Sequence, residues 1–343
     1  MTNLEFGHVP LVKVTRGEAV ESIHYGAIAV VDSRGVLLAG AGNPEAATFL
    51  RSAAKPFQTL PLLVSGAAQR FRFSDRELAV ITSSHSGQKM HLDVVRRILQ
   101  KAGVKETSLQ CGAHAPFHRP TARALAQQGS RPTVLHNNCS GKHAGMLALA
   151  RHWNVPLEDY LDTAHPVQKA VLETLCSYTG AVPGAVLVGV DGCSAPTFAI
   201  SLRQAALGYA RLLDPRFASG EAREAAQRVV FSMRGYPQMV GGTNRLDTWL
   251  MKAIGKSFIA KIGAEGFYGL AYREGQRGIG IALKIADGDG ERARTAATVH
   301  LLDQLGLLGK AKASEILRSQ GLPEIRNVRG RIVGMVSGLF QVS

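Results

Sequence analysis

The order of strand-like and helix-like segments constrains the fold of this chain most. Short apolar segments bounded by turn residues predict strands near both ends. They are Val9–Val14, Ala27–Asp32 and Val36–Ala39 at the start, and Lys256–Ile262, Phe267–Tyr272 and Gly280–Ile285 toward the end. A long helical stretch separates the two groups, and a helix over Glu291–Leu305 follows the second group. We therefore expect an α/β (α+β) fold, with one sheet built from both chain ends and a helical region inserted between its strands.

Helical spacing of apolar residues dominates the middle of the chain. The predicted helices there are Arg51–Ser65, Asp75–Ile81, His91–Ala102, Ala122–Gln128, Lys142–His152, Leu157–Leu161 and Val167–Thr179. A buried strand over Ala185–Val190 and helices over Pro196–Leu213 and Glu221–Met233 are predicted to follow. Because no Pro-, Gly- and Ser-rich linker divides the chain, we expect a single unit over residues 1–343. Its sheet-forming parts are about 1–50 and 185–343, and its helix-rich insertion is about 51–184.

Composition and charge exclude several classes of protein. The 343 residues are 45% hydrophobic and 19% charged, which is typical of a globular chain and not of a disordered one. Lys and Arg outnumber Asp and Glu by 40 to 26, and a net charge of +14 would suit a nucleic-acid partner. The basic residues are scattered, however, and aromatic residues make up only 6%, so we expect no nucleic-acid partner.

Targeting signals are not recognised in the sequence. No apolar run approaches the roughly 18 residues that a membrane-spanning helix needs, so we expect no membrane association. The first residues, Met1–His8, lack the basic start and apolar stretch of an export signal. The four cysteines are too few for a disulfide scaffold. A cytoplasmic location is therefore expected.

A serine and a lysine stand three residues apart at the start of a predicted helix, in the segment Arg51-Ser-Ala-Ala-Lys-Pro56. This spacing places Ser52 and Lys55 on one face of the first turn, within hydrogen-bond reach. A desolvated Lys55 would be neutral and could accept the serine proton. The alternative is a helix-start serine beside a surface lysine.

Two other segments carry hydroxyl groups or a lysine. Thr82–Gly87 is a small polar cluster that includes Ser84 and His85, and it could either line a cleft or form a capped turn. Lys261 ends a predicted strand and is followed by Ile262 and a glycine. This resembles the Lys-Thr-Gly segment that faces the nucleophile in serine-lysine acyl enzymes, with Ile262 in place of the hydroxyl residue.

Two cysteines occupy positions that favour reactivity or metal binding. Cys139 begins a predicted helix, where the helix dipole favours a thiolate, and Cys193 follows a short strand. Two thiolates with one or two nitrogen ligands suit zinc. Without a Cys-x-x-Cys spacing, the alternative is two buried structural cysteines. The spacing Cys111-x-x-His114-x-x-x-His118 is interrupted by prolines, and we do not expect a metal there.

Seven ordered segments together resemble the bacterial L-asparaginase II family of the Rhizobium etli type. They are Arg51-Ser-Ala-Ala-Lys-Pro, Ser84-His-Ser-Gly, Cys111-Gly-Ala-His, His136-Asn-Asn-Cys-Ser-Gly-Lys-His, Asp191-Gly-Cys-Ser-Ala-Pro, Tyr236-Pro-Gln-Met-Val and Lys261-Ile-Gly-Ala-Glu-Gly. The resemblance implies a fold similar to serine β-lactamases and serine-dependent glutaminases. It also implies a homodimeric enzyme that hydrolyses L-asparagine to L-aspartate and ammonia.

The resemblance also implies the site residues. Two Ser-Lys dyads would be Ser52 with Lys55 and Ser84 with Lys261, with Lys284 as a competitor for Lys261. A Zn²⁺ ion would be held by Cys139, Lys142 and Cys193. Arg51, His85 and Asp191 are expected to bind substrate, and Asp191 could hold a metal-bound water.

The mechanism expected from these residues is acyl transfer. Ser52, deprotonated by Lys55, would attack the amide, while Ser84 and Lys261 relay protons; the roles of the two serines could be exchanged. The zinc would orient the substrate or the serines. Alternatives are a glutaminase or β-lactam hydrolase, a thiol amidohydrolase that uses Cys139, and a basic metal-sensing or nucleic-acid-binding protein without catalysis.

Overall fold

The computed structural model describes residues 7–342 of the chain. Most of the segment in which no export signal was recognised, Met1–Phe6, lies outside the described residues, as does Ser343. No described helix combines the length and the apolar character needed to cross a lipid bilayer.

The large sheet has eight strands in the order β10-β11-β1-β2-β9-β8-β7, with β3 also paired to β2. Its strands are β1 (Val9–Arg16), β2 (Ala19–Asp32), β3 (Leu37–Ala41), β7 (Phe258–Ile262), β8 (Phe267–Glu274), β9 (Arg277–Ile285), β10 (Glu324–Arg326) and β11 (Ile332–Gly338). All the pairings are antiparallel.

The two chain ends meet inside this sheet. Val12 on β1 pairs with Gly338 on β11, and Gly26 on β2 pairs with Ile285 on β9. The mixed α/β fold with a sheet from both chain ends is therefore confirmed. The sequence analysis did not predict β10, β11 or the helix before them; in β11 the apolar residues Ile332 and Met335 are exposed, so this strand has no buried apolar run.

The helices form the rest of the molecule. They are α1 (Lys55–Val64), α2 (Ala67–Arg70), α3 (Asp75–Ile81), α4 (Lys89–Ala102), α5 (Arg119–Gln127), α6 (Ser140–Trp153), α7 (Pro166–Thr179), α8 (Leu202–Leu213), α9 (Gly220–Gly235), α10 (Pro237–Val240), α11 (Leu246–Ile254), α12 (Ala293–Gln304) and α13 (Lys310–Ser319). Short 3₁₀ turns are found at Arg51–Ala54, Glu106–Ser108, Val134–His136 and Pro183–Ala185.

A second, three-stranded sheet corrects part of the sequence prediction. It consists of β4 (Ala47–Phe49), β6 (Pro196–Ser201) and β5 (Leu187–Val190), in that order. The first six residues of the predicted helix over 196–213 form β6, because Pro196 starts a segment of β-branched and aromatic residues that is buried against the core. The helix begins only at Leu202, where Ser201 and Gln204 form a capping box.

Two further predictions in this region are wrong. The strand over 187–190 was expected to be buried, but Leu187 is 63% exposed and Val190 is 79% exposed. It pairs only with β6, so its apolar residues lie at a sheet edge. Residues 157–161 were expected to be helical, but they form turns around the buried ring of Tyr160.

Helix α8 packs directly on the middle of the large sheet and connects it to the start of α1. Gly278 and Gly280 let the helix approach: a Cβ on Gly280 would lie 1.8 Å from the carbonyl oxygen of Ala206. The ring of Tyr209 lies over Gly269, and its hydroxyl donates to the carbonyl of Ala53 at 2.8 Å. The turn that carries Ser52 and Lys55 is thus fixed to the sheet.

Replacement of Gly280 by alanine should destabilise the protein. The new methyl group would overlap the α8 backbone, and such overpacking lowers the free energy of unfolding by about 1–3 kcal/mol. Gly235→Ala is the matched control, because a Cβ there meets no atom within 4 Å. Urea unfolding of both variants checks this, and equal stability would contradict the packing described.

Candidate active site

Two buried lysine amines meet at one serine hydroxyl. Lys55 Nζ donates to Ser84 Oγ at 3.0 Å, and Lys261 Nζ lies 2.8 Å from the same oxygen. Both lysines are almost completely buried, at 1% and 0% exposure. Charged amines are rarely buried without a function or a partner, so this triplet is the strongest chemical feature of the described chain.

Three different elements position the triplet. Lys55 begins α1, directly after the turn held by Tyr209. Ser84 follows α3 in a loop, where its N–H donates to the carbonyl of Val240 at 3.0 Å. Lys261 lies on β7, opposite Gly269 of β8. The backbone of all three residues is therefore fixed by secondary structure or by hydrogen bonds.

Lys55 has further acceptors on either side of Ser84. Its amine also donates to the carbonyl of Ser83 at 2.5 Å and to the sulfur of Cys139 at 3.2 Å. These contacts use all three N–H bonds of an ammonium group. Lys55 therefore acts in this arrangement as a hydrogen-bond donor and a positive charge.

Lys261 is suited to the opposite role. Burial lowers the pKa of Lys261 to about 7, against the opposing effect of Asp247. A substantial fraction of this amine is therefore neutral near pH 7, and a neutral amine can accept the proton of Ser84. The competitor Lys284 instead hydrogen-bonds the carbonyl of Glu265, and it makes no contact with Ser84.

Ser52 was expected to pair with Lys55, but the structure does not join them. Within residues 7–342 the Ser52 hydroxyl has no hydrogen-bond partner, because the Lys55 amine points to Ser84. The turn itself is strained, since Arg51 has a φ of 50°, a conformation that disfavours residues with a Cβ. Ser52 nevertheless opens onto the same cleft as Ser84.

The cleft in front of the two serines has a volume of about 820 Å³. Its walls come from eight separate stretches of the chain. The polar and charged residues among its lining are Ser52, Ser84, Ser86, His118, Arg119, Asn138, Thr243, Asn244, Arg245, Glu265, Glu291, Arg294, Thr295, Ser319 and Gln320. This lining suits a small polar molecule.

Arginines with different roles line this cleft. Arg294 holds the wall together, because its guanidinium donates to the carbonyls of Gly263 and Gly290 at 2.8 and 2.6 Å. Arg245 has no carboxylate partner among the described residues, and its guanidinium lies 5.6 Å from the ring centre of Phe117. The sequence analysis missed both, because no local motif marks them.

The predicted substrate-binding residues lie outside the lining of the cleft. Arg51 and Asp191 form an ion pair with each other at 2.8 Å. Burial raises the pKa of Asp191, but the positive charges of Lys142 and Arg51 outweigh it and lower this pKa below its usual value. Asp191 therefore stays ionised and holds the turn that carries Ser52.

His85 has a structural contact at each ring nitrogen. Nδ1 accepts from the N–H of Gly87 at 3.1 Å, so the proton resides on Nε2, which donates to Ser140 Oγ at 2.9 Å. The ring also stacks on His91, and burial lowers the pKa of His85 well below its usual value. In place of the expected substrate contact, this neutral imidazole fixes the loop that carries Ser84.

The predicted zinc ligands do come together. Lys142 Nζ lies 3.2 Å from Cys193 Sγ, and the Cys139 and Cys193 side chains interact with each other. The interaction with Cys193 lowers the pKa of Cys139 well below its usual value, against burial and with help from Lys55 and Lys142. The same contact and burial raise the pKa of Cys193.

The donor set can be tested against zinc by its chemistry. Among the described residues, no group of three or more His, Cys, Asp or Glu converges, so a metal here requires the Lys142 amine as a ligand. Burial lowers the pKa of Lys142, but the neighbouring sulfurs and Asp191 outweigh it and raise this pKa. Two sulfurs and one amine, buried together with a carboxylate nearby, fit a zinc site that displaces the lysine proton.

Three solved structures illustrate what the fold is similar to. A β-lactamase from Mycobacterium bovis shares 13% identity and a TM-score of 0.41 over 87% of this chain and 95% of its own. A Bacillus glutaminase shares 11% identity and a TM-score of 0.38 over 82% of this chain and 91% of its own. A protein named Mglu in its native form shares 16% identity and a TM-score of 0.36 over 82% of this chain.

The chain spans about three fifths of the length of Mglu, with 61% of that chain covered. Comparison of the sequence with known proteins and families gives a clearer result. No curated protein matches the chain. Residues 12–338, in contrast, match the family described as L-asparaginase II. This match extends from β1 to β11 and includes the Ser84 site, and the chain therefore belongs to the L-asparaginase II family.

Proposed function

We propose that this enzyme hydrolyses the side-chain amide of L-asparagine to L-aspartate and ammonia through a serine ester. The observation that carries the proposal is the Ser84 hydroxyl, hydrogen-bonded to two buried lysines at the base of a polar cleft. Membership of the L-asparaginase II family supports the reaction class. It also leaves the non-catalytic alternative without support.

The contacts favour Ser84 as the nucleophile, which exchanges the roles first expected for the two serines. The neutral amine of Lys261 takes the hydroxyl proton, and Ser84 Oγ forms a bond to the amide carbon. The positive charge of Lys55 stabilises the developing alkoxide. Ser52 has an unbonded hydroxyl in the same cleft, where it can pass a proton to the leaving nitrogen.

The remaining steps release both products and regenerate the Ser84 hydroxyl. The proton that Lys261 took from Ser84 passes through the Ser52 hydroxyl to the nitrogen, so the carbon–nitrogen bond breaks, ammonia leaves and the Lys261 amine is neutral again. Water then attacks the ester, gives a proton to Lys261 and releases L-aspartate, while the Ser84 oxygen regains its proton. Cys139 is not the nucleophile in this scheme, because its sulfur lies behind Lys55 and outside the lining of the cleft.

The charges of the cleft support an amino-acid substrate. L-Asparagine carries a carboxylate and an ammonium group on its α-carbon. Arg245, which has no carboxylate partner among residues 7–342, supplies a guanidinium for the carboxylate, and a planar fork of donors matches that group. Glu265 and Glu291 supply negative charge for the ammonium group. L-Glutamine has the same charges and one more methylene group, so it is the alternative substrate.

We further propose that Cys139, Cys193 and Lys142 hold Zn²⁺, in keeping with the Rhizobium etli type of the family. When bound, the metal would supply a fixed positive charge behind the catalytic lysines. Lys55 donates hydrogen bonds to both Cys139 and Ser84, so its side chain links the proposed zinc ligands to the active site. The homodimer that the resemblance implies stays a prediction.

Removal of the Ser84 hydroxyl should abolish turnover. Ser84→Ala should lower kcat/KM for L-asparagine by more than about 10³-fold, as expected for loss of a nucleophile. Ser52→Ala should lower it by about 10²-fold, as expected for a proton-transfer group. Ser83→Ala is the matched control, since its backbone carbonyl still accepts from Lys55. Ammonia release checks all three, and a more active Ser84→Ala than Ser52→Ala would reverse the assignment.

Loss of the Arg245 guanidinium should weaken substrate binding. Arg245→Gln should raise KM for L-asparagine by about 10-fold or more, because a charge-assisted hydrogen bond to the α-carboxylate is lost. The exposed Arg119, on the same cleft, provides the control variant Arg119→Gln. An unchanged KM in Arg245→Gln would place the carboxylate elsewhere.

Zinc binding should depend on the lysine. Equilibrium dialysis should find one Zn²⁺ per chain, and Lys142→Met should weaken binding by at least about 10-fold. Affinity should fall as pH falls, because the ligands bind only when deprotonated. Cys176→Ala, a buried cysteine outside the cluster, should bind like the wild type. Equal zinc affinity of wild type and Lys142→Met would remove the lysine from the site.

A further inference from the structure

We propose that Asp247 is a positioning residue that acts through Lys261, holding its amine toward Ser84 and stabilising it once it has taken the serine proton. The inference rests on the proposed function. The observation behind it is the location of the Asp247 carboxylate, which no sequence motif marks.

Asp247 lies in the first turn of α11 and is buried, with its side chain 2% exposed. One oxygen, Oδ2, accepts the N–H of Ile262 at 3.3 Å and lies 4.0 Å from Lys261 Nζ. The other oxygen, Oδ1, has no hydrogen-bond partner within the described part of the chain. A buried carboxylate with an unused oxygen is unfavourable unless a nearby cation compensates it.

Lys261 becomes such a cation when it takes the serine proton. Its amine contacts Ser84 Oγ at 2.8 Å and the carbonyl of Ile262 at 2.9 Å, which leaves Asp247 as the nearest negative group for its remaining N–H. The same Asp247 oxygen binds the backbone of the next residue, Ile262. The carboxylate therefore fixes both the end of β7 and the direction of the amine.

Other charged groups also face Lys261, and most of them act against its protonation. Lys55 from α1 and Arg245 before α11 lower the pKa of Lys261, whereas Cys139 at the start of α6 raises it. The side chains of Tyr268 on β8 and Arg294 on α12 also interact electrostatically with Asp247. Asp247 is the one carboxylate in this described set, and its effect keeps the pKa of Lys261 at about 7 despite complete burial.

The consequence for catalysis follows from the proton transfer. When Ser84 gives its proton to Lys261, a positive charge forms in a site without water contact. Asp247 stabilises this charge, as the carboxylate of a serine–histidine–aspartate triad does for its imidazolium. Removal of the Asp247 carboxylate therefore makes the Lys261 amine a weaker base.

The test is the pH dependence of Asp247→Asn. The midpoint of the rising limb of kcat/KM should move down by about one pH unit or more, because the amine loses its nearest negative charge. The plateau should fall by about 10-fold or more, with a smaller change in KM. Asp247→Glu should restore part of the plateau and of the midpoint. Asp214→Asn, which removes a buried carboxylate bound to Arg216, should leave both unchanged.

A purely structural role predicts a different result. Lower thermal stability with the wild-type midpoint and plateau would overturn the proposal. If Asp247→Asn does not fold, Asp247→Ala removes the same negative charge, and a wild-type midpoint and plateau in that variant would also contradict the proposal.

A direct titration separates this proposal from the proposed function. The Lys261 ammonium signal can be assigned by NMR from its absence in Lys261→Met. An enzyme inactive on both asparagine and glutamine would refute the function. A lower Lys261 pKa in Asp247→Asn would still support the positioning role, and an unchanged one would refute it.

Discussion

The hydrogen bonds from two buried amines to one hydroxyl are the interaction on which the rest of this site depends. Two neighbouring ammonium groups would repel each other in a buried place, so the arrangement is stable only if they differ in charge. Lys55 has three acceptors for the N–H bonds of an ammonium group, whereas burial lowers the pKa of Lys261 to about 7, so that its amine can be neutral. One lysine can then act as the base while the other stabilises negative charge on the same oxygen.

The fold maintains this difference by bringing distant segments together. Lys55 belongs to the start of the inserted helical region, and Lys261 belongs to the sheet that both chain ends form. Helix α8 connects them, because Tyr209 contacts the sheet at Gly269 and donates to Ala53 beside the serine turn. The small volume of the sheet glycines is therefore a condition for the geometry of the active site.

Part of this arrangement could be predicted from the sequence. Local patterns marked Ser52, Lys55, Ser84 and Lys261 as candidates, and the family resemblance implied the three proposed zinc ligands. The contact between Lys261 and Ser84 could not be predicted from local patterns, because these residues are 177 positions apart in the sequence. Helical spacing suggested that Lys55 would face Ser52, whereas tertiary contacts turn its amine toward Ser84. Arg245 and Asp247 lie in a segment without a motif, and only the folded structure shows that they face the site.

The central claim is that the hydroxyl shared by the two lysines is the one that attacks. The most direct measurement is to quench the enzyme during turnover of a slow ester or amide substrate, and to locate the covalent adduct by mass spectrometry of peptides. The account predicts the acyl group on the peptide that contains Ser84, and its disappearance in Lys261→Met. An acyl group on Ser52, in wild type and in Ser84→Ala alike, would contradict it.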